Sequence, residues 1–217
     1  MKTAVLLGMG GLGCPAALAL SEAGVPLRLV LVDPDRVERS NLSRQILYSE
    51  ADVGALKAEA AARKLRNAQP RALRFEQATT DTLLTGADVV LDGTDNFETR
   101  FFANDECVRR GLPLIHGAAL GWQGQAATIV PGTGCLRCLF EGPPPPGAVP
   151  ACAEAGVLSP LCGVVGAFMA RAALALLFHS EPPELGVLRR WDALQGTERP
   201  LPLRKDVACA VCASRAS

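Results

Sequence analysis

Histidine is almost missing from this chain: of 217 residues only His116 and His179 carry an imidazole. A mechanism built on imidazole proton relays therefore has little to work with. Excess charge is missing too. Lys and Arg number 22 and Asp and Glu number 22, for a formal net charge of zero. That balance argues against nucleic acid or an anionic membrane as the main partner. No targeting segment stands out, since the opening apolar run, Met1 to Leu7, breaks at Gly8, well short of a signal-peptide core. It reads as a first strand. The most apolar later run, Gly163 to Phe178, carries Arg171 and falls short of the ~20 residues a bilayer span needs. It is expected to be a buried helix, and the chain to be cytoplasmic. No internal repeat or domain linker is visible. The run Pro143 to Pro146 with Gly147 is read as an extended surface loop within one domain.

What is present is an α/β pattern. Apolar residues make up 49% of the chain, enough to expect a packed fold rather than disorder. Short apolar runs at 5–7, 28–32, 89–91 and 114–115 end at Gly, Asp or His, as buried parallel strands do. Helical patterns at 12–23, 55–65 and 97–109 lie between them, so a parallel sheet covered on both faces is expected. Past residue 120 the character changes: 124–130 suits a strand at an antiparallel edge, and another strand is expected near 187–191.

Gly8, Gly10 and Gly13 fit G-x-G-x-x-G between a strand and a helix, where backbone N–H groups can meet phosphates. Asp33 ends the next strand about 20 residues on, in position for ribose hydroxyls. A dehydrogenase would explain that much. It would not explain Ser40 to Gln45, SNLSRQ, where Arg44 offers a planar fork for phosphate and Asn41 a neutral donor. Lys57 opens a helical pattern, a poor place for a cation on dipole grounds unless an anion binds there. Asp95 follows a buried strand, where a carboxylate can hold Mg²⁺ or cap the next helix. His116 ends a strand nearby and is read as structural. Cys135–Cys138 and Cys209–Cys212 are two C-x-x-C pairs, able to supply four thiolates to Zn²⁺, or to be a redox motif plus an incidental pair. Cys14, Cys107 and Cys162 read as small core residues.

These motifs, in this order, resemble the ThiF/MoeB/HesA family of adenylyltransferases, bacterial relatives of ubiquitin-activating enzymes. The resemblance spans nearly the whole chain. It implies a Rossmann-like, doubly wound, mostly parallel sheet with an antiparallel extension and a zinc-stapled tail. It implies one adenylation domain over 1–217, with a nucleotide-binding half (1–120) and a carrier-binding and zinc half (121–217). The activity implied is ATP-dependent adenylation of the C-terminal Gly-Gly carboxylate of a ubiquitin-like sulfur carrier, of ThiS or MoaD type. In that scheme Gly11 meets phosphates, Asp33 the ribose, and Asn41, Arg44 and Lys57 the triphosphate. Asp95 holds Mg²⁺, the four paired cysteines hold structural Zn²⁺, and Cys152, in the loop after the prolines, is the candidate thiol for a covalent link to the carrier. The segment Cys152 to Leu158 and the proline run lean toward MoaD-type enzymes. A homodimer is expected, although the family's N-terminal helix, whose Arg reaches into the partner's site, has no counterpart before the first strand. No rhodanese domain follows Cys212, so sulfur is expected from a separate sulfurtransferase or cysteine desulfurase. Two other readings stand beside this one: an NAD(P) oxidoreductase, which leaves Arg44, Asp95 and the cysteine pairs unexplained, and a non-catalytic carrier-binding scaffold.

Overall fold

Alternation along the first strand sets up the whole architecture. In β1 (Lys2–Leu7), Ala4 and Leu6 enter one hydrophobic cluster, Val5 and Leu7 the other. β2 (Leu27–Val32) repeats this, with Leu29 and Leu31 against Val30 and Val32. A strand apolar on both faces must be covered on both. The computed structural model, which describes residues 1–140, 142–145, 155–178 and 184–213, shows that cover. Helices α1 (Gly13–Ser21), α2 (Lys57–Ala62) and the long α6 (Ser159–Phe178) pack on one face. On the other lie α3 (Thr80–Leu84), α4 (Phe97–Arg110) and the short α5 (Leu136–Leu139). Full burial of each Leu or Val contributes about 1.5–3 kcal/mol, so the two cores dominate the fold's stability.

The sheet runs β3-β2-β1-β4-β5-β6-β7-β8. β1 and β2, with β3 (Ala68–Arg71), β4 (Val89–Asp92) and β5 (Leu114–Leu120), are parallel. Then β6 (Gln123–Ile129), β7 (Val187–Asp192) and β8 (Thr197–Pro202) extend it antiparallel. The doubly wound sheet with its antiparallel extension is as expected. One placement differs: β6 is interior, flanked by β5 and β7, and the edge is β8. The strands the pattern does not reveal, β3 and β8, are the two edge strands. Their residues are mostly half-exposed or exposed and include Pro70, Pro200 and Pro202, which edges tolerate and apolar periodicity cannot flag.

Helix α6 is longer than its apolar run suggested. At 20 residues it has the length and composition of a membrane span, so the length argument against one does not hold. Packing decides instead: Val165, Met169, Ala172 and Ala173 are at most 1% exposed, wedged against α1, β5 and β6.

Candidate active site

The turn from β1 into α1 is built by glycines for two separate reasons. Gly8 sits at φ +85°, and a Cβ there would lie 3.0 Å from the Gly93 carbonyl oxygen. A Cβ on Gly13 would lie 1.9 Å from the Gly8 carbonyl oxygen, an overlap no shift of a side chain can relieve. Asp33, at the end of β2 and 5% exposed, locks the loop. Its Oδ2 accepts the Met9 N–H at 2.7 Å and its Oδ1 the Asp35 N–H at 2.8 Å. Burial raises its pKa, against the pull of the Lys57 cation and those N–H groups.

Tyr48, the single tyrosine, ties the loop to the start of α2. Its hydroxyl lies 2.9 Å from the Met9 carbonyl oxygen and 3.1 Å from that of Lys57. Tyr48→Phe removes this shared donor and leaves the Met9 carbonyl only the weak Cys14 Sγ–H at 3.4 Å, a loss of about 1–2 kcal/mol. In a chain of this size that is a fall of roughly 2–8 °C in Tm; an unchanged melting curve would show the hydroxyl is idle.

A cleft of about 250 Å³ opens beside this loop. It lies at the carboxyl ends of β1, β2 and β4, where the strand order reverses, the usual ligand position of open α/β sheets. Gly8, Gly10, Gly11 and Asp33 line it, and with them Arg44, Lys57 and Asp95, brought together from far apart in sequence. Lys57 is the first residue of α2 and 9% exposed; its Nζ lies 3.2 Å from Asp35 Oδ2. The Arg44 Nη1 donates to the Ser40 carbonyl at 3.1 Å. Asp95 is exposed and has no protein partner among the described residues. The helix-capping role open to it falls instead to Asn96, whose side chain accepts the Thr99 N–H. Two of the expected nucleotide contacts do not line the cleft: Gly13, which packs against the Gly8 carbonyl behind the loop, and Asn41. Asn41 is buried, its amide 3.3 Å from Ser40 Oγ.

Behind the cleft lies a buried polar network. Asp92 and His116 are fully buried, 3.1 Å apart through Oδ2 and Nδ1, and Gln125 Nε2 stands 3.2 Å from the other ring nitrogen. Thr94 donates both its N–H and its hydroxyl to Asp92 Oδ1. Burial alone would raise the Asp92 pKa, but the hydrogen bond from His116 and the Arg100 charge carry it below the usual range. Burial lowers that of His116 more than Asp92 raises it. The imidazole is thus neutral and donates to Asp92, a supporting role that fits its structural reading.

The four paired cysteines converge. Their sulfurs lie within 4.8 Å of one another, with Cys135–Cys209 at 3.8 Å and Cys138–Cys212 at 3.4 Å. A tetrahedron with Zn–S bonds of 2.3 Å has edges of about 3.8 Å, so the donor set fits Zn²⁺. Backbone N–H groups of Cys135 and Asp206 point at Cys138 Sγ, as thiolates attract. The knuckle is braced on α4: Asn104 Oδ1 accepts the Leu136 N–H at 2.9 Å, and Arg137 forks onto Asp105. Cys152 and His179 lie outside the described residues.

Sequence reading missed several cleft residues. Gln45 and Arg100 both line it. Gln45 belongs to the SNLSRQ stretch and Arg100 shares with Lys57 an unfavourable place in the first turn of a helix, the one signal that could have revealed it. Cys162 is buried as expected, but its sulfur faces the cleft, 3.1 Å from where a Gly11 Cβ would stand.

A family model described as "ThiF family" matches residues 2–211. The chain belongs to the ThiF family. Among relatives, the SAMP-activating enzyme E1 of Haloferax volcanii is 44% identical over 214 residues, which are 96% of this ThiF-family chain and 79% of that protein. The sulfur carrier protein adenylyltransferase of Thermus thermophilus is 43% identical, over 96% of this chain and 81% of its own. The adenylyltransferase and sulfurtransferase MOCS3 of Sus scrofa is 42% identical over 97% of this chain and 48% of its own length. The ThiF-family chain thus spans about half of that two-activity protein. Among solved structures, E. coli MccB with AMPCPP and MccA superposes with a TM-score of 0.85 at 24% identity, over 98% of this chain and 67% of that one. That likeness shows the shared fold.

Proposed function

We propose that this protein is an ATP-dependent adenylyltransferase that activates the C-terminal carboxylate of a ubiquitin-like sulfur carrier. The observation that carries the reading is the single cleft in which Arg44, Lys57 and Asp95 meet the glycine loop and Asp33. Two cations and an unengaged carboxylate on a phosphate-binding turn are what ATP chemistry needs and what a hydride-transfer site does not. The names of relatives at 43–44% identity agree.

In the reaction a carboxylate oxygen of the carrier bonds to the α-phosphorus while the bond from that phosphorus to the β-bridging oxygen breaks. The products are acyl-adenylate and pyrophosphate. No proton moves, so two histidines suffice. The work of the site is to offset charge repulsion and to position the reactants. Loop N–H groups and Asp33 hold the nucleotide, Arg44 and Lys57 neutralise the triphosphate, and Asp95 would hold Mg²⁺, which would neutralise the leaving pyrophosphate. Asn41, held away from the cleft wall, orders the Arg44 turn: its carbonyl accepts the Arg44 and Gln45 N–H groups. We further read the chain as one adenylation unit with its carrier-binding half after residue 120. The carrier is of MoaD or ThiS type, in molybdopterin or thiamine biosynthesis. The working enzyme is a cytoplasmic homodimer fed by a separate sulfurtransferase or cysteine desulfurase.

Carrier-dependent exchange of labelled pyrophosphate into ATP tests this, with MoaD-type and ThiS-type carriers offered separately. Exchange with one of them is expected and names the pathway. Silence with both would favour the scaffold reading.

A further inference from the structure

Arg100 is built into the cleft wall more firmly than into the fold's own ion pairs. Its side chain is 12% exposed and lines the cleft. The guanidinium stands 5.2 Å from the Phe97 ring centroid, and its Nη2 donates to the Thr94 carbonyl at 2.8 Å. Its Nε is buried with no hydrogen-bond partner, 4.0 Å from Asp92 Oδ2. No described residue takes Nη1. A guanidinium has five N–H donors, and the fold uses one.

Asp92 does not claim the rest. Its oxygens already accept from the Thr94 N–H, the Thr94 hydroxyl and His116. The buried carboxylate thus holds the arginine in place electrostatically and leaves its fork unspent. The position is also costly, because Arg100 stands in the first turn of α4, where the helix dipole disfavours a cation. A desolvated, underbonded cation at a helix N-terminus calls for an anion from outside the chain.

Topology says which anion. Arg44 and Lys57 both come from the stretch that runs from β2 to the first residue of α2, on one side of the glycine loop. Arg100 comes from β4 and α4, on the other side, toward β5 and β6. On that side Ala119 and Val157 complete the wall, where Gly121 pairs with Val157. The triphosphate needs the first pair. We propose that Arg100 binds the second anion of the reaction, the C-terminal carboxylate of the protein substrate, and holds it against the α-phosphate. This rests on the adenylation reading above, and it adds a substrate-binding residue to it.

The test is a cycle between enzyme and substrate. The carrier that supports exchange is prepared with a free C-terminal carboxylate and with a C-terminal amide, and binding of each is measured without ATP. Wild-type enzyme is expected to bind the carboxylate form about tenfold to a hundredfold tighter, as charged hydrogen bonds imply. In Arg100→Gln that preference should fall to near unity, while ATP affinity stays within about twofold. Arg100→Lys should restore part of the preference. A preference that survives in Arg100→Gln with ATP affinity lowered would make Arg100 a phosphate ligand and overturn the proposal. A preference that survives with only Tm lowered would make it structural, overturning it equally. Failure of the adenylation reading itself has another signature: wild-type enzyme then exchanges no pyrophosphate with either carrier, whether or not it binds them.

Discussion

Asp95→Ala is expected to lower carrier-dependent pyrophosphate exchange by roughly 10²–10³-fold or more, the scale of losing one preorganised electrostatic partner in a site of this kind. The same substitution should leave the fold alone. The side chain is exposed, makes no hydrogen bond or ion pair with another described residue, and is relieved of helix capping by Asn96; such surface changes stay within about 0.5 kcal/mol. An unchanged melting curve with lost exchange is thus the expected pair of results, and raising Mg²⁺ should recover part of the rate. Near-normal exchange at ordinary Mg²⁺ would remove Asp95 from the chemistry and, with it, the strongest distinction from a hydride-transfer site.

Cys138→Ser is expected to act in the opposite way, on stability first. Zinc content should fall from one ion per chain to none. Because binding energy of a structural metal is folding energy, Tm should drop on the order of 10 °C. The knuckle is the joint that fastens the segment around Cys209 and Cys212 to the second core. Cys135, Leu136, Cys209 and Cys212 pack there with Phe101 and Leu203. Chelation of the wild-type protein should reproduce the loss. Full zinc content and an unaltered melting curve in Cys138→Ser would show that the four sulfurs are neighbours without being ligands.

Much of this protein could be read before its structure, for a physical reason. Buried parallel strands are apolar on both faces, so β1, β2 and β4 announce themselves as short unbroken runs. The glycine turn shows because a Cβ is forbidden at Gly13 by backbone alone. C-x-x-C pairs show because metal ligands need that spacing. Local chemistry with a strict steric or ligand rule is written locally.

What depends on distant pairing was not legible. Edge strands β3 and β8 are mostly open to solvent and carry no apolar period. The inward position of β6 exists only because β7 returns from sixty residues later to pair with it. Tyr48 looks like an ordinary aromatic until its hydroxyl is seen to bridge two carbonyls. Asn41 looks like a phosphate donor until folding turns it inward. Arg100 looks like any cation on an amphipathic helix until β4, α4 and His116 surround it. Sequence by itself determined the family, the glycine turn and the two cysteine pairs. Only the tertiary structure decided which charges are spent inside the protein and which are left facing the cleft, because that depends on hydrogen-bond partners the chain supplies from far away.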